Sequence, residues 1–384
     1  MRFVITCAFA QSLVNFRGRL LEQIVAGGHE VLALAPDFDQ ATSTWCRERH
    51  IETRHIDIDN QTTNVFADAK AFFQILAAIK YFRPDVVFGY THKPAIYTSI
   101  AAGFLRIPHK AMMVTGLGSG FEVATLKNRI VNTVIKGLFR LATRMSDRVI
   151  FHNPDDMRFF VKNGLLSDQS KAVVVNGSGV DLSLFPQQRF VECDASAITF
   201  LLVARIVTYK GIVEYATAAT ELKKSFPMAR FLLAGYHDKS PSSLTPENWT
   251  FIQGAVEYLG KSDDVCGLMK QCHVYVLPSY GEGLPRTVLE AMACGRPVIT
   301  TDVNGCRQTV IEGKTGFLVR PRDWKDLMSA MQKFLEGTAD IHHMGQASHD
   351  FALAAFDVEQ VNKHMLKALK LEAEQKTGSK DLEL

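Results

Sequence analysis

The sequence predicts an α/β protein built as two doubly wound domains that face each other across a cleft. Three observations carry that expectation. Short, nearly continuous apolar strands alternate with amphipathic helices, the pattern of parallel sheets covered by helices on both faces. The 384 residues exceed what one ordinary core accommodates. The alternation lapses over residues 181–196 (DLSLFPQQRFVECDAS) and then begins again. This gives a first domain over residues 1–185 and a second over 196–356, with a last helix in 357–384 completing the first. Ligands are expected in the cleft, beyond the carboxyl ends of the strands.

Taken in order, residues 2–6 are expected as a first buried strand, followed by a polar loop and a helix over 16–26, capped by Asn15 and ended by Gly27 and Gly28. Strand 30–35, helix 67–81, strand 85–90, helices 94–105 and 128–145, and strand 148–152 continue the first series. The second series runs through strand 198–203, helix 212–225, strands 230–234 and 274–278, helix 285–294, strands 297–301 and 316–319, and helix 324–335. A helix over 357–374 closes the chain.

Composition excludes several classes. With 47% hydrophobic and 22% charged residues the chain is globular rather than disordered, and a net charge of +3 speaks against a dedicated nucleic-acid binder. The cysteines are odd in number, scattered and without a CxxC, which reads as reduced thiols and no zinc site. MRFVITCAFA has too short an apolar run for a signal peptide, and no charge-free apolar window is long enough to span a bilayer. A cytoplasmic location is therefore expected.

The most informative stretch is 277–305, LPSYGEGLPRTVLEAMACGRPVITTDVNG, read as a strand, a glycine-flanked acidic turn, a helix opened by Pro285 and closed by Gly295, and a further strand. Glu282 and Glu290 stand eight residues apart, about 12 Å along a helix, so they cannot serve one bond as an acid–base pair. They could grip two ends of one elongated ligand; the bland alternative is a loop acid and a solvated helix residue. Arg205 follows strand 198–203, and Lys210 with Gly211 opens the next helix. A guanidinium, an ammonium and a helix N-terminus suit a diphosphate, against the alternative of a solvent-facing basic pair. His92, after strand 85–90, is either a structural histidine or the best catalytic candidate of its type. Gly116, Gly118 and Gly120 form a loop able to approach a ligand closely.

EGKTG at 312–316 lacks the first glycine of a phosphate loop and precedes a strand, so it reads as a hairpin turn. HExxH, EF-hand and GxSxG patterns are absent, which removes support for hydrolytic and metal-dependent classes. In 126–148, Lys136, Arg140, Arg144 and Arg148 recur every four residues beside an apolar face of Ile130, Val131, Val134, Ile135, Leu138 and Phe139. Two readings stand, a core helix with a solvated basic edge or a face that settles on anionic lipid; nucleic acid ranks third, since no aromatic interleaving accompanies the charges.

The second half, through Glu-x7-Glu (Glu282 to Glu290), ARIVTYKG and VEYLG, resembles the retaining glycosyltransferases of family 4, which have the GT-B fold of two Rossmann-like domains. The first half, through NFRGRL, THKP and GLGSGF, is similar to the capsule-type and N-acetylgalactosaminyltransferase subgroup. The resemblance implies a hexosyltransferase that uses a UDP-sugar as donor substrate without a metal or other cofactor. Arg205 and Lys210 would hold the donor diphosphate. Glu282 would contact the sugar hydroxyls with Gly283, Leu284 and Pro285 beside it, and Glu290 would bind the ribose. Tyr258 and Gly118 would line the donor site, and His92 would lie near the reacting centre. Gly18 and Arg19 would sit in an N-terminal loop lining the cleft. Gly281 and the segment GYHDKSPSS depart from close relatives where the donor sits, which leaves the donor open.

The expected activity is transfer of an N-acetylhexosamine to a polyprenyl-diphosphate-linked saccharide in surface-glycan or glycoprotein-glycan assembly. The enzyme would work peripherally on the inner face of the plasma membrane through helix 126–148. Alternatives are the same fold with a soluble acceptor, or a non-catalytic scaffold of a glycan-assembly complex.

Overall fold

The structure, a computed structural model, describes residues 1–59, 64–117, 126–190, 197–237 and 243–372, with the backbone alone for 126–130. The first series is β1 (Arg2–Thr6), α1 (Gln11–Ala26), β2 (Glu30–Ala35), α2 (Gln40–Glu48), β3 (Ile51–His55), α3 (Val65–Phe82), β4 (Val86–Tyr90), α4 (His92–Phe104), β5 (His109–Val114), α5 (Leu126–Met145), β6 (Arg148–Phe151), α6 (Pro154–Lys162) and β7 (Ala172–Val174). The second is β8 (Thr199–Val203), α7 (Ile212–Ser225), β9 (Arg230–Ala234), α8 (Pro246–Ala255), β10 (Glu257–Tyr258), α9 (Val265–Gln271), β11 (Val274–Leu277), α10 (Arg286–Ala293), β12 (Val298–Thr301), β13 (Gly316–Val319), α11 (Trp324–Leu335), α12 (Ile341–Ala355) and α13 (Val358–Leu369).

The strands form one sheet ordered β3-β2-β1-β4-β5-β6-β7 and another ordered β10-β9-β8-β11-β12-β13. The first six strands of each follow the same 3-2-1-4-5-6 winding, the Rossmann order. Pairing is parallel from β3 to β5 and throughout the second sheet. By contact density the chain divides into one unit of residues 1–113, 138–150 and 362 onward, and another of 114–137 and 151–361.

The second sheet shows how the pleat builds a doubly wound layer. Phe200, Leu202, Phe231, Leu233, Val274 and Val276 point to a core shared with Ile212, Tyr215, Leu222, Ile252, Met331 and Phe334, on α7, α8 and α11. Their chain neighbours Leu201, Leu232, Tyr275 and Leu277 point the other way, to Leu268, Val288, Leu289 and Met292 on α9 and α10. Alternate side chains thus bury on opposite faces, so these strands are apolar at nearly every position.

Several expectations need correction. The helix expected from Phe16 begins at Gln11, so Asn15 is internal to it. The 312–316 turn leads into β13, which runs parallel to β12; it is not a hairpin. Arg148 starts β6 and does not extend the basic stripe of α5. On α5 itself Phe139 and Asn132 are buried whereas Val134 is exposed, so the apolar set does not form one core face; Ile130 lies outside the described side chains. Residues 191–196 of the expected linker are also outside the described residues. Among the described residues no helix is long and apolar enough to cross a membrane, and no group of His, Cys, Asp and Glu could hold a metal ion.

Candidate active site

In the second sheet β8 and β11 are neighbours, but the chain leaves β8 towards β9 and leaves β11 towards β12, on the other side. The crevice beyond their carboxyl ends is the switch point at which open α/β sheets place ligands. Arg205 and Lys210 follow β8 there, and the turn from Ser279 to Leu284 follows β11.

Lys210 ends a short 3-10 turn, Thr208–Lys210, and forms an ion pair with Glu282. Glu282 also accepts from Ser279 Oγ at 2.7 Å, and its N–H donates to the Asn304 carbonyl at 3.1 Å. The two loops are tied together: Tyr280 N–H donates to the Tyr209 carbonyl at 2.8 Å, and its hydroxyl donates to Glu214 Oε1 at 2.6 Å. Each side chain of the ion pair is 14% exposed, so the pair is sheltered but reachable. An ammonium has three N–H donors, which leaves Lys210 capacity for a phosphate oxygen while it holds Glu282. Behind the pair, burial, reinforced by the charge of Glu282, pushes the Cys306 thiol up to about 12.

Two glycines fix this geometry. Gly211 has φ +71°, and a Cβ there would run into the carbonyl oxygen of Pro278. Gly283 follows Glu282, and a Cβ there would run into the carbonyl oxygen of Thr115. Backbone approaches backbone at both positions, so neither can yield by a rotamer change.

Glu290 is no solvated helix residue: it is 6% exposed on α10 and pairs with Arg286 Nε at 2.8 Å, one turn earlier. Burial raises its pKa, and the Arg286 charge offsets only part of that rise. The folded chain therefore holds a proton on Glu290 more readily than the unfolded chain, and the ionised form costs stability above the folded pKa. That cost is relieved as pH falls through the folded pKa towards the unfolded value. Glu290→Gln removes the titration. Without ligand, the variant should melt higher relative to wild type at pH 8 than at pH 5 by calorimetry; a difference independent of pH would refute this account.

Arg205 is exposed, and its guanidinium donates to the Tyr209 hydroxyl. Tyr258 lies on β10, donates to the Gly235 carbonyl at 2.8 Å and packs on Trp249, with ring centroids 4.8 Å apart. It thereby pins the end of β9. Leu284 packs over Gly177, and Pro285 is the residue immediately before α10. Gly118 lies outside the described residues. Gly18 and Arg19 are within α1 rather than in a loop: Gly18 is buried against Trp45, and Arg19 pairs with Glu22 at 3.7 Å. Helix α1 starts upstream of both, so their backbone amides are committed to the helix.

His92 is the first residue of α4, and its ring meets Phe139 edge-on at 5.9 Å. Thr91 before it, which no sequence signal marks, is a β-branched residue held at φ +69° with its hydroxyl buried and without a hydrogen bond. Strain of this kind concentrates at functional sites. Tyr209, Ser279, Asn153 and Asn304, which also shape the site, carry no motif that announces them.

Taken together, the GT-B fold, the Lys210–Glu282 pair at the switch point and the two-carboxylate block define a glycosyltransferase. The family model described as glycosyl transferases group 1 matches residues 187–351. Over 338 residues it is 29% identical to the N,N'-diacetylbacillosaminyl-diphospho-undecaprenol alpha-1,3-N-acetylgalactosaminyltransferase of Campylobacter jejuni, covering 85% of this chain and 87% of that protein. It is 25% identical over 282 residues to the UDP-Gal:alpha-D-GlcNAc-diphosphoundecaprenol alpha-1,3-galactosyltransferase of Escherichia coli, covering 70% of each. Anabaena HepE in complex with UDP superposes with a TM-score of 0.74 over 96% of this chain and all of that one, at 17% identity. Sucrose-phosphate synthase of Thermosynechococcus elongatus superposes with a TM-score of 0.76, at 19% identity over 96% of this chain and 98% of that one.

Proposed function

We propose that the chain transfers an N-acetylhexosamine from a UDP-sugar to a saccharide carried on a polyprenyl diphosphate, with retention at the anomeric carbon. The product would serve a bacterial surface or protein-linked glycan. The observation that carries the reading is the Lys210–Glu282 ion pair beside Arg205 at the switch point of the second sheet. The two undecaprenyl-linked relatives support the acceptor class, and the UDP-Gal donor of the second supports the nucleotide.

In this reading Arg205 and Lys210 hold the diphosphate and take up its charge as the bond to the anomeric carbon breaks. Glu282 orients the sugar hydroxyls beside Gly283, Leu284 and Pro285; Glu290 holds the ribose; Tyr258 and Gly118 line the donor site. His92 acts near the reacting centre, and Gly18 and Arg19 support it from α1. Two cationic side chains suffice for the leaving group, so chelation with EDTA should leave the rate within about twofold. A large loss restored by Mg²⁺ or Mn²⁺ would refute that assignment.

The decisive experiment offers a panel of UDP-sugars with an undecaprenyl-diphosphate-linked saccharide and with the free saccharide. Transfer of an N-acetylhexosamine to the lipid-linked acceptor is expected. Transfer confined to the free saccharide would overturn the acceptor, and absence of UDP binding by calorimetry would revive a scaffold role. Lys136, Arg140 and Arg144 on α5 are the proposed contact with anionic lipid, tested by flotation with and without phosphatidylglycerol.

A further inference from the structure

Behind the Glu282–Gly283 turn lies a buried amide and carboxylate network that the donor contacts do not use. Asn153 and Asp156 are respectively 0% and 1% exposed, at the start of α6. Asn153 Oδ1 caps the helix by accepting from Asp156 N–H at 2.8 Å. Its Nδ2 carries two protons with two partners: the Gly283 carbonyl oxygen at 2.6 Å and Asp156 Oδ2 at 3.0 Å. The other carboxylate oxygen, Oδ1, accepts from Asn304 Nδ2 at 3.3 Å. Asn304 in turn offers its carbonyl to the N–H of Glu282. Both flanks of the turn, the amide of Glu282 and the carbonyl of Gly283, are thus held by asparagines that converge on one carboxylate.

We propose that Asp156 is a positioning residue for the donor: in its ionised form it locks Asn153 and Asn304, and through them fixes the Glu282–Gly283 turn against the sugar. The proposal rests on the reading of Glu282 and Gly283 as donor contacts. A carboxylate can accept from both amides. Once protonated, one of its oxygens becomes a donor facing an amide donor, and one of the two tethers is lost.

Burial pushes Asp156 up to about 6; the Asn153 and Asn304 hydrogen bonds oppose the rise and the neighbouring Asp155 charge adds to it. Burial raises Asp155 too, but Gln308, Arg158 and Arg307 outweigh it and hold that group below its ordinary value. Arg307 is shared with Asp302 at 2.7 Å. His152 precedes Asn153 in the chain, and histidine is the residue type whose ordinary pKa lies nearest neutrality, so His152→Gln serves as the control. Ionised Asp156 is therefore present at neutral pH and lost as pH falls through about 6, and donor use should fall with it.

The test measures donor KM, kcat and UDP affinity between pH 5 and 8 on the full chain, with UDP-N-acetylgalactosamine or whichever UDP-sugar of the panel the wild type uses best. Asp156→Asn is expected to raise donor KM about tenfold, the worth of one charge-assisted hydrogen bond. It should abolish the acid limb of kcat/KM near pH 6 and leave UDP affinity within about twofold. Asn304→Ala keeps the carbonyl that holds Glu282 but strips a donor from Asp156, so its acid limb should move to higher pH. Asn153→Ser retains a capping oxygen but strips the Nδ2 donor from Asp156, so it should raise donor KM and likewise move the acid limb to higher pH. Wild-type KM and acid limb in Asp156→Asn, or a limb that vanishes in His152→Gln instead, would overturn the proposal. Glu282→Ala separates the two levels. If it keeps wild-type donor KM, the donor reading falls and the tether with it; if it is impaired while Asp156→Asn is not, only the tether falls.

Discussion

Replacing Lys210 with alanine is expected to slow sugar transfer by roughly 10²–10³-fold, the usual cost of losing one donor aimed at charge that develops in the transition state. Two effects add. The diphosphate loses a charge-assisted hydrogen bond, and the Glu282 carboxylate, freed of its partner in a sheltered position, faces the phosphates unneutralised. The double variant Lys210→Ala/Glu282→Ala separates them: UDP affinity by calorimetry should partly recover, because the repulsion is gone, while transfer stays low. The effects of the single substitutions should therefore not add. Lys210→Arg should rescue poorly, since a planar fork does not replace a compact ammonium in a slot 14% exposed. Arg205, exposed and held through Tyr209, should cost less on removal, about tenfold. Transfer by Lys210→Ala within threefold of wild type would remove this residue from the mechanism.

The physics of local patterning explains which parts of this molecule could be read in advance. α7, β9, β13 and α11 fall on their expected bounds, since each combines a strong apolar period with a terminator that acts locally. β3, with the sequence IETRH, is not legible: it is an edge strand whose side chains are mostly outside the core, so no alternation marks it. α6 was legible in principle, because NPDD supplies an N-cap, a first-turn proline and two first-turn acids. α4 starts two residues before Pro94, which reads as a helix opener but occupies the third helical position, where a proline also costs no hydrogen bond. At the site, Glu282, Glu290, Arg205 and Lys210 came from a dense motif. Asn153 and Asn304 did not: a hydrogen bond spanning 130 residues, such as Asn153 to Gly283, leaves no local trace.

The joint between Lys210 and the turn after β11 rests on Gly211, and the Gly211→Ala substitution should be correspondingly severe. The backbone there sits at φ +71°, which costs an L-residue about 1 kcal/mol relative to glycine. The added methyl would also meet the Pro278 carbonyl, so either the 3-10 turn carrying Lys210 or the end of β11 must shift. Together these predict a loss of roughly 3 kcal/mol or more, several degrees of Tm in a chain of this size. A shift of even about 1 Å would break the register of Lys210 with Glu282 and lower transfer about 10²-fold. Gly254→Ala is the matched control: it lies in α8 at negative φ with nothing within 4 Å of its added methyl. There alanine should stabilise by up to about 1 kcal/mol with activity unchanged. Opposite signs at the two glycines, read by calorimetry and by transfer rate, would establish that Gly211 is retained for the close approach of β11. Equal, mild effects at both would show that the Lys210 loop tolerates displacement, and that the ion pair is less tightly fixed than its geometry implies.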